Sequence, residues 1–130
     1  MSDNKLLLVD DEKDFAHSLK LYLQMEDFQV DMAHCGSDAL DLVKDNSYNL
    51  IISDVLMPGM DGYELRKNLR SLEATKKTPI ILLTAKEADV ESLKEINDGA
   101  TSFIMKPFDH AILLEEIRHL IKHRVAREQQ

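Results

Sequence analysis

The chain has 130 residues, 44% of them hydrophobic, and a formal net charge of −8, so it is long enough for one domain with one core. The acidic charge disfavours direct nucleic-acid binding, which usually needs a basic face, and the absence of any apolar run of about 18 residues disfavours a membrane span. Because the single cysteine, Cys35, cannot form an intrachain disulfide, we expect a reducing, cytoplasmic location.

Strand-like and helical patterns alternate from the first residues of the chain onward. An apolar run at 5–9 ends in two aspartates, and apolar residues then recur at helical spacing over 13–26. Residues 28–32 alternate between apolar and polar side chains, as a half-exposed strand does. Ser37 is the predicted N-cap of the next helix, at about 37–43.

The same alternation continues through the second half of the sequence. In order, this half contains a buried strand run at 50–53, a helix marked by Leu65, Leu69 and Leu72, a strand at 79–83, a helix marked by Val90, Leu93 and Ile96, a short strand at 103–105 and a helix marked by Leu114, Ile117 and Ile121. Gly99 is well placed to end the fourth of these five predicted helices.

Five strands that alternate with helices predict an α/β fold, a doubly wound parallel sheet with helices on both faces. The first, third and fourth runs lack alternation and should be central strands, whereas the second should be an edge strand. This pattern predicts the flavodoxin-like strand order 2-1-3-4-5. We expect one domain over residues 1–123 and a helical tail or the start of a linker at 124–130, since the chain beyond about His119 shows no obvious core to pack on.

Chemically active side chains follow four of these strands at the point where each strand ends. Asp10 and Asp11 follow the first strand, Asp54 the third, Thr84 the fourth and Lys106 the fifth. In a doubly wound sheet, ligands bind beyond the carboxyl ends of the strands, near the switch between the first and third strands. We therefore expect three carboxylates, a hydroxyl and an ammonium group to converge at this edge of the sheet.

Three neighbouring carboxylates repel one another, and a divalent cation resolves the conflict. Oxygen ligands with room for water and phosphate oxygens describe a Mg²⁺ site, and the lack of His or Cys at the strand ends argues against zinc. Phosphoryl transfer also needs an in-line nucleophile and positively charged groups close to the negative phosphoryl oxygens. Asp54 is a candidate nucleophile that would form an aspartyl phosphate, with Lys106 and Thr84 holding oxygens and Asp10 and Asp11 holding the metal.

Four segments of the chain carry a family resemblance. They are Leu-Leu-Val-Asp-Asp at 7–11, Asp-Val-Leu-Met-Pro-Gly-Met-Asp-Gly-Tyr-Glu-Leu at 54–65, Pro-Ile-Ile-Leu-Leu-Thr-Ala at 79–85 and Gly-Ala-Thr-Ser-Phe-Ile-Met-Lys-Pro-Phe at 99–108. In this order and spacing they resemble the receiver domain of two-component response regulators, over roughly residues 4–123. The resemblance implies a phosphoacceptor that assists its own phosphorylation and dephosphorylation rather than an enzyme. It also implies a sensor histidine kinase or a histidine phosphotransfer domain as donor, and an unknown output domain or target protein.

The resemblance also implies roles for individual residues. Asp54 accepts the phosphoryl group. Mg²⁺ is held by the carboxylates of Asp10, Asp11 and Asp54 and by the backbone carbonyl of Leu56. Lys106 contacts the phosphoryl oxygens.

A conformational relay through Thr84 and Phe103 is a further implication of the resemblance. Thr84 would move toward the phosphate and Phe103 would swing inward. The surface formed by the helix at about 88–98, the fifth strand and the helix at about 109–123 would then change shape. The Lys106–Pro107 bond is typically cis in this family.

Two other functions share parts of this pattern. A flavodoxin-like FMN binder would need a Ser/Thr/Gly-rich phosphate loop after the first strand, where this chain has Asp-Asp-Glu. A Mg²⁺ phosphatase with an Asp nucleophile would need a general acid two residues later, where this chain has Leu56. Within the receiver family, Thr101-Ser102 replaces the acidic pair usual in receivers joined to winged-helix DNA-binding domains, so the sequence leaves the output open.

Overall fold

Short apolar runs form the five strands of one parallel sheet in this computed structural model, which describes residues 4–85, 96 and 100–128. The strands are β1 (Lys5–Val9), β2 (Gln29–Ala33), β3 (Leu50–Asp54), β4 (Ile80–Thr84) and β5 (Thr101–Met105). They lie in the order β2-β1-β3-β4-β5, and every neighbouring pair is parallel. The predicted doubly wound α/β sheet with flavodoxin-like strand order is confirmed.

Helices cover both faces of this sheet. In the described part of the chain they are α1 (Lys13–Met25), α2 (Gly36–Asp45), α3 (Gly62–Arg70) and α4 (His110–Glu128). The predicted helix marked by Val90 and Leu93, together with its end at Gly99, lies outside the described residues. None of the helices described is long and apolar enough to cross a membrane.

Two hydrophobic clusters, one on each face of the sheet, explain why the central strands lack alternation. Leu6 and Leu8 join the cluster that includes residues of α1 and α4, whereas Leu7 and Val9 join the cluster that includes residues of α2 and α3. Successive side chains of a strand point to opposite faces, so a strand buried on both faces reads as an unbroken apolar run. β2 has a strand neighbour on one side and exposes Gln29, which confirms the predicted edge strand.

The start of α2 differs from the prediction. The helix begins at Gly36, and Cys35 occupies the N-cap position without a side-chain hydrogen bond, so the prediction of Ser37 as N-cap is wrong. Gly36 packs so closely that a Cβ atom there would lie 2.5 Å from Met60 Sδ. The first turn of α2 therefore packs against Met60 in the loop before α3, and Ser37 is the second residue of the helix.

The ends of α3 and α4 also differ from the prediction. α3 ends at Arg70, with Leu72 beyond it. The Ser71 hydroxyl donates to the carbonyl of Asn68 at 2.7 Å at this end of the helix, and the Arg70 guanidinium donates to the carbonyl of Thr78 at 2.6 Å, a contact with the turns that follow. α4 keeps core contacts past His119, since Leu120 is 5% exposed in the cluster that α4 shares with α1. The core-facing side of α4 therefore continues past His119 and includes Ile121, which the sequence had marked as part of this helix.

Candidate functional site

The carboxyl ends of the strands bring the predicted site residues to one edge of the sheet. Asp54 is the last residue of β3 and pairs in register with the last-but-one residue of β4. Thr84 is the last residue of β4 and pairs with Met105, the last residue of β5. Asp10 directly follows β1 and Lys106 directly follows β5. The parallel register therefore places these residues at a common edge.

Asp10, Asp11 and Asp54 form one acidic cluster, in which one carboxylate oxygen of each residue lies within 4.8 Å of the others. Asp10 is fully buried and Asp54 is 9% exposed, whereas Asp11 is exposed. Asp10 Oδ1 accepts a hydrogen bond from the backbone N–H of Glu12 at 2.9 Å. Its buried Oδ2 has no hydrogen-bond partner among the described residues. A buried carboxylate oxygen without a hydrogen bond, in an all-oxygen cluster, suits a hard divalent cation, so the cluster fits a Mg²⁺ site.

Lys106 supplies the cationic side chain of the site. Its Nζ lies 3.3 Å from Asp54 Oδ1 and 3.6 Å from Asp10 Oδ2, and its side chain is 25% exposed. Its backbone N–H donates to the carbonyl of Thr84 at 2.7 Å, which ties the loop after β5 to the end of β4. The Lys106–Pro107 peptide bond is cis, as predicted.

Burial raises the pKa of Asp10 and of Asp54 above the usual aspartate value of 3.8. Loss of hydration is the largest cause in both cases, because burial removes the water that would stabilise the ionised form of the carboxyl group. The Glu12 N–H and then Lys106 oppose this rise in the pKa of Asp10, and Lys106 opposes it for Asp54. Negative charge at this site is therefore costly without a bound cation, a condition that favours metal binding.

The loop between β3 and α3 has a conformation that its residues explain. Gly59 has a φ of +77°, a left-handed conformation that glycine adopts without steric cost. Asp61 Oδ1 accepts a hydrogen bond from the N–H of Glu64 at 2.8 Å and caps α3. At Gly62 a Cβ atom would lie 2.5 Å from the carbonyl oxygen of Asp54. Only the absence of a side chain there lets α3 start against the backbone of Asp54.

The remaining predicted site residues lie on or near this end of the sheet. Thr84 is 4% exposed at the end of β4. Phe103 pairs in register with Leu82 and packs, partly buried, against the cluster shared with α2 and α3. Leu56 follows Asp54 by two residues and is 67% exposed. Of the surface predicted to respond to phosphorylation, β5 and α4 are described, whereas the helix predicted at about 88–98 lies outside the described residues except at position 96.

Two contacts of the site were not predicted from the sequence. Phe15, in the first turn of α1, places its ring centroid 4.4 Å from Lys106 Nζ, and His34 Nδ1 lies 3.2 Å from the carbonyl oxygen of Asp10. No local spacing signalled Phe15, because Asp11 precedes the start of α1 at Lys13 and the contact with Lys106 depends on how α1 packs against the segment after β5. For His34, the predicted pairing of the first two strands would have placed it beside the end of β1.

A sequence family described as "Response regulator receiver domain" matches residues 6–118 of the chain. The transcriptional regulatory protein CpxR of Escherichia coli (strain K12) is 39% identical over 127 residues, which cover 98% of this chain and 53% of that protein. The transcriptional regulatory protein SrrA of Staphylococcus aureus (strain NCTC 8325 / PS 47) is 35% identical over 119 residues, which cover 92% of this chain and 48% of that protein. The chain thus spans about half the length of these curated relatives.

Solved structures with similar descriptions share the architecture. The chemotaxis protein CheY4 of Vibrio cholerae has a TM-score of 0.83 at 33% identity, with 92% of this chain and 99% of that chain covered. The signal receiver domain of a signal transduction histidine kinase from Syntrophus aciditrophicus has a TM-score of 0.83 at 32% identity, with 92% and 91% covered. The sequence match and the fold match therefore point to the same group of proteins.

Proposed function

This chain belongs to the response regulator receiver domain family of two-component systems, and we propose that it is a switch that accepts a phosphoryl group on Asp54. The observation that carries the proposal is the position of Lys106 Nζ, 3.3 Å from Asp54 Oδ1, in the cluster that also contains Asp10 and Asp11. A receiver domain is a signalling domain rather than a classical enzyme. The proposed reaction is therefore a modification that the chain assists on itself.

The proposed metal is Mg²⁺, held by the carboxylates of Asp10, Asp11 and Asp54 and by the backbone carbonyl of Leu56. The close approach of the three carboxylates supports this choice, as does the buried Asp10 Oδ2, which lacks a hydrogen-bond partner among the described residues. When bound, the ion would neutralise the carboxylates and supply positive charge to the phosphoryl oxygens.

The side chains of the site would promote transfer by positioning and by charge. A carboxylate oxygen of Asp54 forms a bond to phosphorus while the bond from phosphorus to the donor's histidine nitrogen breaks. That nitrogen leaves with the bonding electron pair. The Lys106 ammonium and the Thr84 hydroxyl would each hold a phosphoryl oxygen, so the charge that develops on these oxygens meets fixed donors.

The proposed phosphodonor is a sensor histidine kinase or a histidine phosphotransfer domain in the cytoplasm. The curated relatives are transcriptional regulators, and this chain matches about half of each, so an output domain or a separate target protein would receive the signal. The net charge of −8 favours a protein over nucleic acid or an anionic membrane as the direct partner of this chain. We take residues 1–123 as the receiver domain and 124–130 as a helical tail or the start of a linker; α4 runs through this boundary to Glu128.

A small phosphodonor tests the proposed function. With Mg²⁺ and acetyl phosphate, the protein should gain one phosphoryl group, and EDTA should prevent the gain because three bare carboxylates repel phosphate. Intact-protein mass spectrometry measures the result. A flavin absorbance spectrum in the purified protein, or turnover of generic phosphatase substrates, would instead favour the FMN-binding or phosphatase alternative.

Leu56 is expected to prolong the lifetime of the aspartyl phosphate. Hydrolysis needs a water molecule in line behind the phosphorus atom, and a leucine two residues after Asp54 offers that water no hydrogen bond. Leu56→Asn should speed hydrolysis by about fivefold, the effect of one hydrogen bond of about 1 kcal/mol. A time course of phosphate release from the phosphorylated protein measures the rate. Leu21→Asn, at a leucine that is 49% exposed on α1, is the control, and an unchanged or slower rate in Leu56→Asn rejects the idea.

Thr84 is proposed to couple phosphorylation to the surface of β5 and α4. The phosphoryl group adds about −1.5 to −2 of charge and new acceptor oxygens, and the Thr84 hydroxyl would donate to one of them. Phe103 would then pack into the space that Thr84 leaves, a shift between two packings of the same residues. Thr84→Ala should still be phosphorylated on Asp54. It should lose the NMR chemical-shift changes in β5 and α4 that beryllofluoride, a phosphoryl mimic, causes in the wild type.

Thr84→Ser provides the matched control for this relay. Serine keeps the hydroxyl and should keep the response of β5 and α4 to beryllofluoride. If Thr84→Ala responds as fully as the wild type, the hydroxyl is not the link between the phosphoryl group and this surface.

A further inference from the structure

The Lys106 ammonium group has an aromatic contact in addition to its two ion pairs. Nζ lies 3.3 Å from Asp54 Oδ1 and 3.6 Å from Asp10 Oδ2, and it also lies 4.4 Å from the centroid of the Phe15 ring. At this distance an ammonium group is attracted to the negative face of an aromatic ring. The attraction is strengthened because the lysine side chain is only 25% exposed and water therefore screens it less.

The Phe15 ring is itself held in place by the segment that carries Lys106. Phe108 packs edge-to-face against Phe15, with centroids 6.1 Å apart and ring planes at 84°, a favoured geometry for aromatic pairs. The ring centroids of His110 and Tyr22 lie 4.7 Å apart, and these two rings form a second contact between this segment and α1. The ring that contacts the ammonium group thus has a fixed place relative to the lysine backbone.

The aromatic contact should persist when the site binds metal and phosphoryl group, whereas the two ion pairs of Lys106 should weaken. Under the proposed function, Asp54 becomes an aspartyl phosphate and Asp10 binds the metal, so both carboxylates that now hold Lys106 acquire other partners. A ring face keeps its attraction for the ammonium group and competes weakly for its N–H donors. It can therefore keep Nζ near the site while those donors turn to phosphoryl oxygens.

We propose that Phe15 is a positioning residue that holds the Lys106 ammonium group over the phosphorylation site through its ring face. This inference rests on the proposed function, since the position of Lys106 matters only if that side chain contacts the phosphoryl group. The competing explanation is that Phe15 only fills space between α1 and the segment after β5. Under that explanation, any apolar side chain of similar size could replace Phe15, whether or not it has an aromatic ring.

Two substitutions separate the explanations. Phe15→Leu keeps an apolar side chain and removes the ring face, whereas Phe15→Tyr keeps the ring face. Tyrosine can be accommodated because Phe15 borders an open, mainly apolar groove of about 410 Å³ that Lys106 and Phe108 also line. Phe28→Leu controls for a general loss of core packing. Phe28 immediately precedes β2 and is 7% exposed.

The first measurement needs no metal. In the wild type and in Phe15→Tyr, the ring face should shift the ¹H NMR signals of the Lys106 ε-methylene upfield, and in Phe15→Leu this shift should disappear.

The second measurement is the affinity for beryllofluoride in the presence of Mg²⁺. Phe15→Leu should weaken it by about 3- to 10-fold, the range expected for one partly desolvated cation–π contact. Phe15→Tyr and Phe28→Leu should stay within about twofold of the wild type.

Coupling to Lys106 completes the test. In a Lys106→Ala background, Phe15→Leu should have no further effect on beryllofluoride affinity, because the ring then has no ammonium group to hold. Equal loss in Phe15→Leu and Phe15→Tyr, persistence of the Phe15→Leu effect without Lys106, or no loss in Phe15→Leu would each overturn the inference. A wild-type chain that binds no beryllofluoride and accepts no phosphoryl group would instead refute the proposed function.

Discussion

Asp54→Asn is expected to gain no phosphoryl group under conditions that label the wild-type chain. An amide has nearly the same shape as a carboxylate but lacks the negative oxygen that attacks phosphorus, so the proposed path is removed rather than slowed. The fold should survive, because the substitution also removes a charge whose burial raises the pKa of Asp54. Intact mass spectrometry after treatment with acetyl phosphate and Mg²⁺ measures the labelling. Digestion of the labelled wild type then tests whether the label lies in the segment 54–65.

Asp61→Asn is the matched control for this experiment. Asp61 lies in the same loop and caps α3 through Oδ1, and asparagine is an equally good N-cap. This variant should be labelled as fully as the wild type. Undiminished labelling of Asp54→Asn would identify another acceptor and contradict the assignment of Asp54.

The strand order and the place of the site could be predicted because two physical rules act on short stretches of sequence. Strands buried on both faces read as unbroken apolar runs, which identified β1, β3 and β4 as central and β2 as an edge strand. Parallel strands all end at one edge of the sheet, so the residues that follow them were expected to meet. The convergence of Asp10, Asp54 and Lys106 required no information beyond that strand order.

Contacts that depend on how whole elements pack could not be predicted in this way. The approach of Phe15 to Lys106 depends on the distance and angle between α1 and the segment after β5, which no spacing within the sequence encodes. At the start of α2, Gly36 packs closely against Met60, a tertiary contact that the local preference for Ser37 as N-cap does not include. Such contacts modify a site whose position local patterns already determine.

Asp10→Asn is expected to weaken Mg²⁺ binding severely while making the metal-free protein more stable. Asn keeps the shape of the side chain, and its Oδ1 can still accept the hydrogen bond from the Glu12 N–H. The charge that is removed is fully buried and sits beside two other carboxylates, whereas Lys106 keeps its ion pair with Asp54. Thermal melts with and without Mg²⁺ measure both effects. Wild-type protein should gain about 2.7 kcal/mol at a Mg²⁺ concentration of about 100 Kd, and the variant should gain almost nothing at the same concentration.

The pH dependence of the metal-free melts identifies the cause of the added stability. Burial raises the pKa of Asp10 in the folded state above the unfolded value of about 3.8, so the folded state binds the proton more tightly than the unfolded state. The stability of the wild type associated with this group is therefore fully present below pH 3.8 and is lost as the pH rises through the folded pKa. The advantage of Asp10→Asn should be largest near neutral pH and should shrink as the pH falls toward 3.8. Asp41→Asn, which removes an exposed acid on α2 whose ion pair with Lys44 is also exposed, should change stability little at any pH. If Asp10→Asn instead destabilises the metal-free protein at neutral pH, the carboxylate is holding the fold together, and its assignment as a metal ligand loses its physical basis.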